Sequence, residues 1–375
     1  MAASGEQSLV APVRRVVSVV GTRPNFMKIA PVMRALEARG VEHRLVHTGQ
    51  HYDPGLSDTF LAELGMGAPD VALGVGAMTP GRQLGEIVSR LEPVLLDLKP
   101  DVVIVPGDVT STLSAALAAA QLGLPIAHVE AGLRSFDWTM PEERNRVLTD
   151  RLSQWLFTHS PEAADNLARE GIDSTRVHDV GNTMIDSLVY MLPEIEAADA
   201  ARLHGLEEGS YLVVTLHRPA LVDGPLLRTA LEELGKLART IPIVFPVHPR
   251  TRARISAIGG EPAGAVRLVE PMRYIEFLSL VRTSMGVLTD SGGIQEETTF
   301  LGIPCCTLRD STERPVTLTQ GTNMLLGLDL SAIADVPHRL EIARQRSHSL
   351  PDRWDGLAGE RIASLLTGNR SQPTT

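Results

Sequence analysis

Short apolar runs rich in β-branched residues alternate with Ala- and Leu-rich amphipathic stretches along most of the chain, and this alternation is what parallel strands joined by crossover helices look like in sequence. Arg15 to Val20, Glu42 to Thr48, Val102 to Pro106, Pro125 to Val129, Trp155 to His159 and Val177 to Val180 read as strands. Pro24 to Arg39, Gly81 to Leu98, Ser111 to Leu122, Glu142 to Gln154 and Glu162 to Gly171 read as the helices between them. The pattern restarts after a helical passage around Asp186 to His204. Its strands are Tyr211 to Leu216, Ile241 to Val247, Val266 to Val269, Met285 to Leu288 and Pro304 to Thr307, with helices at Gly224 to Arg239, Tyr274 to Thr283 and Gly293 to Gly302. At 375 residues the chain exceeds what one hydrophobic core organises. The expected architecture is therefore α/β, with two Rossmann-like domains whose parallel sheets face a ligand cleft. Domains are expected at 1–180 and 181–350, with frayed residues before about Val13 and at 368–375.

Charge and cysteine content narrow the function classes. Lys and Arg number 35 against 45 Asp and Glu, a net charge of −10, which disfavours a general attraction to nucleic acid or an anionic membrane. The two cysteines, Cys305 and Cys306, are adjacent and lie in an apolar run, so a buried and inert role is expected. Neither a signal-peptide pattern nor an apolar run of about 18 residues is present, and a cytoplasmic location is the expectation.

In open parallel sheets ligands sit beyond the carboxyl ends of the strands. Gly21-Thr22-Arg23, Gln50-His51, Gly107-Asp108 and Glu130 occupy those ends in the first half. His217-Arg218, His248 and Asp290-Ser291-Gly292-Gly293 occupy them in the second. Asp108 reads equally as a turn residue or a helix cap before Thr110-Ser111-Thr112. Glu130 ends an apolar run and needs a partner, for which Arg134 or a nearby histidine is a candidate. His128, His159 and His178 read as structural. Ser291-Gly292-Gly293 joins a strand to a helix start whose free N–H groups suit a diphosphate. Glu297, one turn further on, is placed to accept from ribose hydroxyls, whereas Glu296 reads as a solvated helix residue. No G-x-G-x-x-G turn follows the first strand and no P-loop occurs, so neither a nicotinamide nor a P-loop mechanism is expected. No metal-ligand spacing is present, and no cofactor or metal is expected.

These segments together resemble the bacterial non-hydrolysing UDP-N-acetylglucosamine 2-epimerases from about Arg15 to Leu366. The resemblance rests on Gly21-Thr22-Arg23-Pro24 with Lys28, Gly49-Gln50-His51, Gly107-Asp108, His128 to Arg134, Pro141-Glu142-Glu143, Gly181-Asn182-Thr183, His217-Arg218, Pro246-Val247-His248, Asp290 to Glu297 and Thr312-Glu313-Arg314-Pro315, in that order. It implies a GT-B-like fold whose final helix, about 351–367, crosses back to the first domain. It also implies interconversion of UDP-N-acetylglucosamine and UDP-N-acetylmannosamine through loss of UDP, a 2-acetamidoglucal intermediate and readdition. On that resemblance Asp108 and Glu130 move the C2 proton, Glu142 positions or shares it, and His217 assists the leaving diphosphate. Arg23, Lys28, Ser291, Gly292, Gly293, Phe277 under the uracil and Glu297 on the ribose complete the UDP site. Gln50, His51, Arg82, Glu142, Arg218 and His248 match a second, activating substrate site, and a homodimer is implied. Asn25 stands where many members have Glu, Pro219-Ala220 where many have Arg and Glu, and Asp53 where the activator site has Gln, so weaker activation is expected. A hydrolysing 2-epimerase and a GT-B glycosyltransferase are the alternatives; the paired Asp108 and Glu130 weigh against the latter.

Overall fold

A computed structural model describes residues 13–49, 60–259, 264–346 and 348–368. Two parallel sheets succeed one another along the chain. The first has seven strands in the order β3-β2-β1-β4-β5-β6-β7: β1 Arg15–Val20, β2 Glu42–His47, β3 Val71–Ala72, β4 Val102–Pro106, β5 Ile126–Val129, β6 Trp155–Thr158 and β7 Val177–Asp179. The second has six in the order β10-β9-β8-β11-β12-β13: β8 Leu212–Thr215, β9 Ile243–Pro246, β10 Val266–Val269, β11 Gly286–Thr289, β12 Cys305–Thr307 and β13 Asn323–Leu325. Both sheets reverse direction of winding once, between β1 and β4 and between β8 and β11. A crevice opens at such reversals, beyond the carboxyl ends of the two central strands.

Burial explains the strand composition. All five residues of β4 are buried, as expected for a strand covered by helices on both faces, and such strands read as continuous apolar runs. The covering helices carry a stripe instead. In Pro80–Leu98 the residues Ile87, Leu91 and Leu95 are buried four apart, while Glu86 and Arg90 form an ion pair on the outer side. Proline at the first turn starts several of these helices, including Pro80–Leu98, Pro141–Leu152, Pro161–Arg169 and Pro249–Ala257, where its missing N–H costs nothing.

Helix Thr183–Ala197 joins the two halves. Met184, Leu188 and Met191 belong to one buried cluster that runs from Ile29 and Val32 of helix Arg23–Glu37 to Tyr211 and Leu278 of the second half. Ser187 Oγ donates to the Met27 carbonyl at 2.6 Å. The last helix, Ala358–Thr367, adds Ile362 and Leu366 to the same cluster, and its Gly359 N–H donates to Asp186 at 2.7 Å. This crossing helix is shorter than the expected 351–367. Residues 351–357 form an irregular passage in which Arg353 has φ 63°, incompatible with a helix, and the buried Trp354 donates its indole N–H to the His159 carbonyl at 2.9 Å. Cys305 and Cys306 are buried free thiols, both pushed up by burial. Among the described residues no helix is long and apolar enough to cross a membrane.

Candidate active site

The segments just beyond β1, β4 and β5 line one side of the crevice, and those beyond β8 and β11 line the other. After β1, Asn25 closes the turn: its Oδ1 accepts from the Gly21 and Thr22 N–H groups at 3.0 and 3.1 Å, and its Nδ2 donates to the Pro106 carbonyl at 3.1 Å. Asn25 therefore ties the end of β1 to the end of β4. After β4, Gly107 takes φ 68°, and a side chain there would lie 2.8 Å from Lys28 Nζ. Glycine both permits the turn and lets the lysine through. Asp108 is not the cap of helix Thr110–Gln121, since Val109 holds that position; its carboxylate pairs with the buried Arg146 of helix Pro141–Leu152. His128, fully buried on β5, bonds the Gly107 carbonyl through Nε2 at 2.7 Å and Asp150 through Nδ1 at 2.6 Å, so it braces the Asp108 turn from behind.

Glu130 comes after β5 at φ 70°, a left-handed conformation that costs a non-glycine residue strain. It is 8% exposed, and its partners come from far along the chain. Lys28 pairs with Oε2, and Arg314 Nη2 donates to Oε1 at 2.8 Å. Burial pushes this carboxyl up, but Lys28 and Arg314 outweigh it and hold it down at about 2. The expected partner Arg134 is engaged elsewhere, bonded to Asp150 and Glu170. Arg134 leaves the end of β5 towards helix Pro161–Arg169, away from the crevice.

Arg314 is the hub of the second half. Besides Glu130 it reaches Glu296 at 3.1 Å and Glu313 at 3.5 Å, and Glu313 also holds Arg309 at 2.7 Å and Arg218 at 3.5 Å. Burial opposes the charge of Glu313, but Arg314, Arg309 and Arg218 keep its carboxyl well below the usual range. Glu296, expected to be a solvated helix residue, is instead 1% exposed, bonded by Asn182 Nδ2 at 3.0 Å and lying 3.4 Å from His159 Nε2. The reason is its place on the inner face of helix Gly292–Leu301, which packs against helix Thr183–Ala197 rather than against solvent.

His217 Nδ1 lies 3.0 Å from Asp290 Oδ1, and the same buried carboxylate accepts from the N–H groups of His217 and Arg218 at 2.9 and 2.8 Å. Burial pushes Asp290 up, but the hydrogen bond from His217, ahead of its charge and the two N–H groups, brings it down overall. With Nδ1 tied to a carboxylate, Nε2 is the nitrogen left to face the crevice. Helix Gly292–Leu301 starts beside it. Its cap residue Ser291 makes no side-chain cap, so the first N–H groups stay available, and a side chain on Gly292 would lie 2.7 Å from Arg314 Nη1. Glu297 accepts from the Tyr274 hydroxyl at 2.8 Å; burial pushes its carboxyl up to about 7, with Tyr274 and Arg23 opposing and Glu296 adding. Arg23 spreads its guanidinium over Phe60 at 4.2 Å and lies close enough to feel the Glu297 charge. Phe277 is half-buried one turn after Arg273 and packs against the buried cluster that joins the two halves.

Glu142 is half-buried one turn before Arg146 on the same face of its helix and forms no hydrogen bond or ion pair among the described residues. Its neighbour Glu143 is the structural one, accepting from Ser135, Phe136 and Arg146. Of the expected activator residues, Gln50 and His51 lie outside the described residues, as does Asp53. Arg82 is exposed at the start of helix Pro80–Leu98, and His248 caps helix Pro249–Ala257 through Arg250 N–H at 3.2 Å. Sequence reasoning does not assign Arg146, Arg314, Glu313 and Glu296 to the site. Only Thr312-Glu313-Arg314-Pro315, a polar run beyond β12, signals two of them. Among the described residues no group of three or more His, Cys, Asp or Glu is placed to hold a metal ion.

The likeness of this chain to known proteins extends over nearly its whole length. Residues 34–367 match the family model for UDP-N-acetylglucosamine 2-epimerase. The UDP-N-acetylglucosamine 2-epimerase of Methanocaldococcus jannaschii is 38% identical over 93% of this chain and 98% of its own. The UDP-2,3-diacetamido-2,3-dideoxy-D-glucuronate 2-epimerase of Pseudomonas aeruginosa is 40% identical over 94% of this chain and 99% of its own. The crystal structure of the Methanocaldococcus jannaschii enzyme in complex with UDP-GlcNAc and UDP superposes with a TM-score of 0.85, at 37% identity, over 95% of this chain and all of that one. Two parallel sheets of the same winding, in the GT-B-like arrangement of these neighbours, and a match along nearly the whole length lead to one conclusion: the chain belongs to the UDP-N-acetylglucosamine 2-epimerase family.

Proposed function

We propose that this chain is a non-hydrolysing UDP-N-acetylglucosamine 2-epimerase, an isomerase that interconverts UDP-N-acetylglucosamine and UDP-N-acetylmannosamine. The observation that carries the reading is the pair of carboxylates, Asp108 and Glu130, at the ends of neighbouring strands β4 and β5, opposite the Ser291-Gly292-Gly293 helix start. Inverting C2 requires removing its proton from one face and returning one to the other. That proton is not adjacent to a carbonyl, so its loss is coupled to departure of UDP from C1. The C2–H electrons form the C1–C2 double bond, and the C1–O pair leaves on the diphosphate. Asp108 and Glu130 serve as the acid/base pair, with Glu142 positioning or sharing the proton. The helix start at Ser291, Gly292 and Gly293, with His217, Arg23 and Lys28, receives the charge that builds on the diphosphate. Glu297 takes the ribose and Phe277 the uracil.

The division into 1–180 and 181–350, a homodimeric state and a second substrate site at Gln50, His51, Arg82, Glu142, Arg218 and His248 belong to the same reading. Incubation with UDP-N-acetylglucosamine in deuterated water, monitored by proton NMR, tests it. UDP-N-acetylmannosamine carrying deuterium at C2, with UDP still attached, is expected. Accumulation of free sugar and UDP points to the hydrolysing reaction, and turnover only of a diacetamido-glucuronate nucleotide points to the specificity of the Pseudomonas aeruginosa relative. Full turnover by both Asp108→Asn and Glu130→Gln refutes the residue assignment.

A further inference from the structure

Arg314 lies between the two halves of the proposed chemistry. One terminal nitrogen, Nη2, donates to the Glu130 carboxylate of the first half at 2.8 Å. The other, Nη1, lies 2.7 Å from where a Gly292 side chain would be, at the helix start that faces the diphosphate. Its remaining carboxylate neighbours are Glu296 and Glu313, the latter 3.5 Å from Nη1, both buried and held by partners of their own, Asn182 for one and Arg309 for the other, and, with a weaker pull, Asp108, which is paired with Arg146. Glu130 has Lys28 as its second partner and His159 as a further nearby titratable group.

We infer that Arg314 is a positioning residue that links the two bond changes: negative charge arriving on the diphosphate is drawn to Nη1 and loosens the hold of Nη2 on Glu130. This rests on the proposed elimination of UDP. The charge balance favours it at every stage. As the C1–O pair leaves, the diphosphate gains one negative charge. As the C2 proton arrives, Glu130 loses one. The total negative charge facing Arg314 is unchanged, so the guanidinium shifts weight from one partner to the other without a net change of pairing in a dry site. Held in the ground state, Glu130 is a poor proton acceptor; the diphosphate makes it a better one. Readdition takes the diphosphate charge back onto the C1–O bond; the proton that inverts C2 comes from the other member of the pair, on the opposite face, and in the reverse direction of the isomerisation Glu130 is the donor.

Coupling of this kind is reciprocal. It is measured on the full-length protein with UDP alone as the probe, by calorimetric titration of the wild type, Glu130→Gln, Arg314→Gln and the double variant, with thermal melting to verify folding. Glu130→Gln frees Arg314 for the diphosphate and is expected to tighten UDP by at least about fivefold. In the Arg314→Gln background the same change is expected to have little effect. Simple repulsion between Glu130 and the diphosphate predicts the opposite, a larger gain once Arg314 no longer screens it. That result overturns the inference, as does a Glu130→Gln variant that binds UDP no better than wild type. If Arg314→Gln fails to fold, Arg314→Lys, which keeps the charge against Glu130 but has one arm, gives the same comparison. Failure of the wild type to epimerise while the UDP cycle behaves as expected removes the proposed reaction and leaves the linkage standing. Epimerisation with an additive cycle removes the linkage alone.

Discussion

Asp186 is a carboxylate under the last helix, and replacing it by Asn makes a test of the crossing that closes the fold. The side chain is 5% exposed, its Oδ2 accepts from Gly359 N–H at 2.7 Å, and its Oδ1 has no hydrogen-bond partner. Burial pushes it up from 3.8 to about 6, against the pull of the Gly359 and Ala358 N–H groups; Asp355 adds to the rise and Arg361 opposes it. The rise corresponds to about 3 kcal/mol between protonated and ionised forms. Because the folded value lies above the unfolded one, the stabilisation from the protonated acid is complete below about 3.8 and is lost as pH rises through about 6. Asp186→Asn keeps an acceptor for Gly359 and cannot ionise. The stability gap between variant and wild type should therefore move in the variant's favour by about 3 kcal/mol between pH 3.5 and pH 8. Urea unfolding midpoints across that range, monitored by tryptophan fluorescence since Trp354 packs beside the same helix, measure it. A gap that does not change with pH refutes the reasoning.

The crevice gives three further outcomes. Glu297, pushed up to about 7, should bind ribose hydroxyls better as it ionises, so uridine affinity rises from pH 6 to pH 8 and Glu297→Gln flattens that rise; uridine is chosen because it has no phosphate to titrate. Gly292→Ala places a methyl against Arg314 and should weaken UDP binding by about tenfold or more with little loss of thermal stability; unchanged binding contradicts the proposed diphosphate cradle. Initial rates against UDP-N-acetylglucosamine concentration should be only weakly sigmoidal, given Asp53 and Pro219, and a strongly sigmoidal curve contradicts that.

Most of the scaffold was legible because its strands are buried on both faces and therefore spelled in Val, Ile and Leu. Elements without that spelling were not. β3 is only Val71–Ala72, and β13, Asn323–Leu325, begins with an asparagine that bonds Thr307 and Gln295. Helix Pro249–Ala257 is crowded with arginine and buries only Thr251 and Ile255, too little for an apolar period. In the site, residues at strand ends were readable because topology alone puts them at the crevice. Partnerships were not. Glu130 meets Lys28 and Arg314, the latter 184 positions away, and no local spacing encodes such a pairing. The solvated reading of Glu296 failed for a related reason, since the face of its helix that turns inward is set by helix Thr183–Ala197 and not by its own sequence.

The central claim is that epimerisation proceeds by breaking and remaking the C1–O bond while UDP stays in the crevice. UDP-N-acetylglucosamine carrying oxygen-18 in the bridge between C1 and the β-phosphorus, incubated with the protein and read by phosphorus NMR, tests it most directly. Elimination frees the bridging oxygen to exchange places with its neighbours on the β-phosphate, so the label is predicted to spread to non-bridging positions in both epimers. Epimerised product with all of its label still in the bridge would contradict the account.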